Sequence, residues 1–71
     1  MPDMEFVTSI TVEAIGYDAH GREVYVRFLK SGVTYIYTNV DQHVFDDFRI
    51  SESKGKYVNN VLRKNYEYRK M

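Results

Sequence analysis

Apolar and polar positions alternate with period two across Val24–Tyr37, where Val-Tyr-Val-Arg-Phe-Leu and Val-Thr-Tyr-Ile-Tyr flank Lys30-Ser31-Gly32. Alternation among β-branched and aromatic residues, broken by Ser-Gly, predicts a β-hairpin. Pairing Leu29 with Gly32 puts Val24, Val26, Phe28, Val33, Tyr35 and Tyr37 on one face, the expected core face. Tyr25, Arg27, Leu29, Thr34, Ile36 and Thr38 share the other. A preceding strand is expected from about Ser9 to Asp18. There Ile10, Val12 and Ala14 have one parity and Ile15 and Tyr17 the other, and a switch beside Gly16 predicts a β-bulge or strong bend at that glycine. Asp18-Ala19-His20-Gly21-Arg22 supplies turn residues leading into Val24, so the three strands form an antiparallel meander. Residues 1–8 are expected to be partly ordered at most, with Phe6 and Val7 able to dock on a sheet edge.

Past Thr38-Asn39 the period changes. Asp41 stands as N-cap of a first helix, Val40 and Phe45 as its hydrophobic staple, and Val44, Phe45 and Phe48 as its apolar stripe, with an end near Ile50 to Glu52. Ser53 caps a second helix. At about 100° per residue, Tyr57, Val58, Val61, Leu62 and Tyr66 fall on one half of that helix, and Lys56, Asn60, Arg63 and Glu67 on the opposite side, with Lys64 close by. Asn65 lies within the apolar half, which must therefore be open near its end or supply a partner for the amide. The order is β-β-β-α-α: an α+β fold in which a three-stranded antiparallel meander carries both helices on one face and leaves the other face at least partly exposed.

Composition adds constraints of scale. The 71 residues make one small domain with its core at about 7–68 and flexible ends at 1–6 and 69–71, and 11 aromatics, seven of them tyrosine, point to packed structure rather than a disordered tail. With no cysteine the core stands without disulfides. Residues 1–5 lack a signal-peptide pattern and no apolar run approaches a membrane span, so a soluble, cytoplasmic protein is expected. Net charge is zero, yet residues 1–50 hold four Lys/Arg against eight Asp/Glu, while 51–71 hold six against two. That gives −4 and +4, and makes the C-terminal third the one basic region.

Candidate chemistry follows from that asymmetry. Lys54, Lys56, Arg63 and Lys64 are candidates to contact nucleic-acid phosphates, and a solvated helix face explains them equally well. Ser53 and Gly55, at the start of the second helix, offer either an anion contact or an N-cap with a glycine that permits close packing. On the outward sheet face Tyr25 and Arg27 are the candidate base-facing residues, against which stands a face that only shields strands or meets a second copy. His20 in a turn and His43 on the first helix have no partner at metal-binding spacing, and no nucleophile or acid/base arrangement recurs, so no metal, no cofactor and no enzymatic activity are expected.

Four segments in order, Ile15-Gly16-Tyr17-Asp18, Val24-Tyr25-Val26-Arg27-Phe28, Ser31-Gly32-Val33-Thr34-Tyr35-Ile36-Tyr37 and Ser53-Lys54-Gly55-Lys56-Tyr57-Val58-Asn59 with Leu62 and Tyr66, give a pattern that resembles the KTSC domain. That family is named for its occurrence at the C-terminus of some lysyl-tRNA synthetases and is also found as free-standing bacterial and phage-type proteins. The resemblance covers residues 7–68, with Ser51 where the family usually has alanine and Val58 where it often has an aromatic. It makes Gly32, Tyr35, Tyr37, Tyr57 and Asn59 motif positions, read as structural. Through the synthetase association it implies RNA, either tRNA or single-stranded, as a partner. The alternative is a protein partner or a second copy, met through the outer sheet face or an open sheet edge.

Overall fold

The computed structural model describes residues 1–71. Five strands, β1 (Glu5–Phe6), β2 (Val12–Asp18), β3 (Glu23–Phe28), β4 (Thr34–Tyr37) and β5 (Tyr68–Lys70), form one antiparallel sheet in the order β1-β2-β3-β4-β5. Helix α1 (Gln42–Ile50) and a second helical stretch lie between β4 and β5. The three-stranded meander expected from sequence is therefore the centre of a five-stranded one, and both chain ends, expected to be flexible, contribute its outermost strands.

The central hairpin has the register its alternation dictates, with Val24 opposite Tyr37, Tyr25 opposite Ile36 and Val26 opposite Tyr35. Its loop spans Leu29 to Gly32. Gly32 N–H donates to Phe28 O at 2.9 Å from a left-handed backbone (φ 68), a conformation glycine adopts without a Cβ clash. The parity switch in β2 is real but sits elsewhere than expected. The ladder slips between Val12 and Ala14, so the extra residue is Glu13, not a residue beside Gly16. Val12 before the bulge and Ile15 after it thereby both reach the core.

Gly16 has a different task. A Cβ there would stand 2.9 Å from Asp3 O and 2.7 Å from Met4 Sδ, because the N-terminal segment crosses the outer sheet face at this point. That face was expected to be at least partly exposed. Instead Ala14, Tyr25 and Ile36 are buried on it.

On the opposite face Val12, Ile15, Val24, Val26 and Tyr37 meet Val40, Phe48 of α1, and Val58 and Leu62 of the second helix. Full burial of each such aliphatic or aromatic side chain contributes about 1.5–3 kcal/mol. Phe48 stacks on Tyr57 at 5.2 Å between ring centres, which locks the two helices together. Asp41 precedes α1 as expected but makes no side-chain cap; its carboxylate pairs instead with Arg22, across the β2–β3 turn. No helix is long and apolar enough to cross a membrane.

The second helix departs from uniform α geometry. Helix α2 (Lys54–Tyr57) continues into a π-helical turn, Val58–Leu62, and then into α3 (Arg63–Asn65). Arg63 N–H donates to Val58 O, an i→i+5 bond. The chain then leaves in extended conformation at Tyr66 and returns alongside β4 as β5. Asn65 is exposed and its amide donates to Val61 O at 2.9 Å, so the open end and the internal partner demanded by its sequence position are both present.

Candidate functional site

Three residues at the start of the second helix serve the fold. Ser53 Oγ accepts from Lys56 N–H at 3.3 Å, an N-cap. A Cβ on Gly55 would stand 3.0 Å from Thr11 Oγ1 and 3.2 Å from Thr11 Cβ, so the glycine lets the helix lie directly against the segment before β2. Lys54, expected among the phosphate contacts, is only 9% exposed, and its Nζ donates to the Ser51 carbonyl just past the end of α1. Carbonyls at a helix C-terminus lack intrahelical donors and carry the negative end of the dipole, and a cation satisfies both. Lys54 thus belongs to the cap of α1 and not to a phosphate surface. Ser51 takes part in the same cap, its hydroxyl donating to Phe48 O at 2.7 Å.

The base-facing pair is also withdrawn. Tyr25 is 8% exposed, and burial pushes its hydroxyl pKa up. Arg27 Nε donates to Glu13 Oε1 at 3.3 Å, and its guanidinium lies 5.9 Å from the centre of the Phe6 ring. The ordered N-terminus adds to this face what sequence alone left off, with residues 2–4 over Gly16 and the Phe6 ring beside Arg27. Neither side chain forms a platform for a base.

Ion pairs sort the remaining cations. Arg22, Arg27, Arg49 and Arg69 pair with Asp41, Glu13, Glu5 and Glu23. At these exposures each contributes at most about 1 kcal/mol. Lys56, Arg63, Lys64 and Lys70 are exposed and make no ion pair, which leaves four of the six C-terminal cations for a partner.

Arg63 is the informative one. On a regular helix it lies about 140° from Val58 at ~100° per residue, on the outward side. The π turn stacks it over Val58 instead, and with Val58, Asn59, Tyr35, Tyr37 and Tyr68 it lines a cleft of about 320 Å³ between the second helix and strands β4 and β5. Phe28 and Ser31 close the far end. Rings of Phe28 and Tyr35, Tyr35 and Tyr68, and Tyr37 and Tyr68 meet at 5.6, 5.8 and 5.4 Å, the first two edge to face. Lys70 stands opposite Tyr35 in the β4–β5 register, on this same side of the sheet.

Hydrogen bonding separates structural tyrosines from available ones. Tyr17 and Tyr57 hydroxyls donate to the Val40 and Val44 carbonyls at 2.6 and 3.1 Å. Tyr35, Tyr37 and Tyr68 hydroxyls have no partner in the chain. Tyr37 is 3% exposed, and no side-chain polar atom is sealed inside without a partner, so its hydroxyl reaches the cleft. Burial first, then the neighbouring Tyr68 and Tyr35, push its pKa up to about 12, which keeps it a donor. Asn59, read from sequence as structural, is exposed, and its side chain makes no hydrogen bond within the chain.

A second cleft of about 390 Å³ lies on the other side of Asn59, lined by Ser9, Thr11, Ser53, Gly55 and Lys56 among others. Its serines are already engaged: Ser9 Oγ accepts from Thr11 and Val12 N–H, each at 3.1 Å, and Ser53 Oγ from Lys56. Sequence reasoning named Arg63, Tyr35, Tyr37 and Asn59 separately. It missed their convergence because that depends on the π turn and on β5, and it missed Tyr68 altogether.

The family profile that matches this chain is that of the KTSC domain, over residues 8–66. A protein of Tsukamurella paurometabola is 40% identical over 60 residues, spanning 84% of this chain and 88% of its own. The crystal structure of a KTSC domain protein from Yersinia pestis matches with a TM-score of 0.92 at 28% identity, covering 100% of this chain and 99% of that one.

Proposed function

The chain belongs to the KTSC domain family, and on that footing we propose that it is a non-catalytic module that binds single-stranded RNA where the second helix meets β4 and β5. The observation that carries this reading is the pairing of unpaired cations with an aromatic cleft: Arg63 on its wall, Lys70 in the adjoining register, and Lys56 beyond Asn59. Cations that track a backbone beside rings that accept bases are what sequence-tolerant single-strand binding requires.

The competing reading, a protein partner or second copy added at a sheet edge, is favoured by β5, an outermost strand whose three residues are all exposed. Two of those three are Arg69 and Lys70, and charged side chains on an edge oppose strand addition. With the outer face covered at Tyr25 and Ile36, the two sheet edges, β5 and β1, are the surfaces left for this alternative.

Salt dependence is the test. Each phosphate contact contributes a slope of about −0.7 to log K against log salt for a single strand. Replacing Lys56→Glu and Arg63→Glu together is expected to flatten the slope by roughly 1.4 and to weaken binding at low salt. An unchanged slope and affinity in that variant, with its fold intact by circular dichroism, would refute the proposed surface.

A further inference from the structure

We propose that the tyrosine-lined cleft is a pocket for one unpaired nucleobase, its ring held by Tyr35 and Tyr68, its polar edge by the Tyr37 hydroxyl and the Asn59 amide, and its phosphate by Arg63. This rests on the RNA reading above and adds a specific site to it. Size comes first: about 320 Å³ is near the lower end of small-molecule pockets, which suits a single planar ring and not a folded partner. Chemistry comes second. The walls offer aromatic surface, neutral hydroxyl and amide groups and one cation, and no carboxylate, which is the complement of a flat heterocycle attached to an anion.

Other occupants of that size leave groups unsatisfied. An apolar side chain of a peptide would cover the Tyr37 hydroxyl and the Asn59 amide without pairing them, and a covered, unpaired polar group is costly. A bare anion would use Arg63 and leave the rings idle. A base engages the rings by stacking and the polar groups by its edge, as single-stranded RNA is read elsewhere. The Tyr37 hydroxyl is the sharpest pointer, since it belongs to an otherwise buried residue and yet gives nothing to the fold.

Fluorescence anisotropy of labelled ten-nucleotide oligoribonucleotides, with and without their bases, tests the pocket on the full chain. The expected result is that an abasic ribose-phosphate strand binds at least tenfold more weakly than the strand with bases. Tyr37→Phe and Asn59→Ala are each expected to weaken binding of the base-bearing strand about fivefold while melting at the wild-type temperature, because neither group bonds within the fold. Tyr68→Leu, which keeps apolar cover on β5, is expected to weaken it about tenfold. Equal affinity for the abasic and base-bearing strands, or wild-type affinity in all three variants, would overturn the pocket and leave the phosphate surface standing. No binding of either strand by the folded wild-type protein at low salt would overturn both.

Discussion

Replacing Lys54→Met separates the part of the basic region that holds the fold from the part proposed to contact RNA. Methionine keeps most of the buried stem and removes only the ammonium, whose Nζ donates to Ser51 O at the end of α1. A hydrogen bond from a charged donor contributes about 1.5–3 kcal/mol, and a cation at a helix C-terminus adds roughly 0.3–1 kcal/mol. Relief from the desolvation cost of burying the ammonium offsets part of that, leaving a net loss of about 1–2 kcal/mol. In a domain of this size such a loss lowers Tm by roughly 4–16 °C. Lys56→Met, at an exposed side chain without an ion pair, should change stability by no more than about 0.5 kcal/mol, yet should flatten the salt dependence of RNA binding by about 0.7. Thermal denaturation by circular dichroism and anisotropy titrations at several salt concentrations read both effects. A Lys54→Met variant that melts like wild type and binds RNA more weakly would refute the assignment of Lys54 to the helix cap.

Three further outcomes follow from the same geometry. Gly32→Ala should destabilise by roughly 1–2 kcal/mol although the site is open, because its φ of 68 penalises any Cβ; chemical denaturation measures this, and a neutral result would mean the loop is not held left-handed. Tyr17→Phe should cost about 0.5–1.5 kcal/mol by losing the 2.6 Å bond to Val40 O, in contrast to the stability-neutral Tyr37→Phe; equal losses in the two variants would contradict the hydrogen-bond assignment. Tyr37 is raised to about 12 in the folded state, above the usual tyrosine value, so the folded chain keeps a proton that the unfolded chain releases. Its contribution is full below pH 10 and is lost as pH rises through about 12. Tyr37→Phe should make alkaline unfolding, followed by tyrosinate absorbance, less steep across that range, and an unaltered profile would count against a buried Tyr37.

How far the sequence could be read depended on pattern length. The β3–β4 hairpin was legible to the residue because eleven alternating positions surround one Ser-Gly turn. Strand β5 was not, since Tyr68-Arg69-Lys70 is too short to show a period and gains its place only by pairing with β4. The bulge was legible as a parity switch, but the glycine drew it to the wrong position; the ladder absorbs Glu13, and Gly16 is small because residues 2–4 cross over it. Arg63 was placed on the outer side by a wheel that assumes uniform turns, and one π turn moves it into the cleft. Lys54 looked like one more surface cation because a linear chain does not show its side chain folding back onto the Ser51 carbonyl past the end of α1. Charge asymmetry marked the C-terminal third as the basic region, and only tertiary structure divided its cations into capping, paired and free.

Two-dimensional amide NMR of the labelled protein, titrated with mixed-sequence single-stranded RNA and with tRNA at low and near-physiological salt, is the most direct test of RNA binding on the surface between the second helix and β5. Salt-sensitive shifts at Lys56, Asn59, Arg63, Lys64, Tyr68 and Lys70, with Tyr25 and Arg27 unmoved, are the expected result. A well-folded spectrum that does not change with either RNA at low salt, or shifts confined to the face carrying Tyr25, would contradict it.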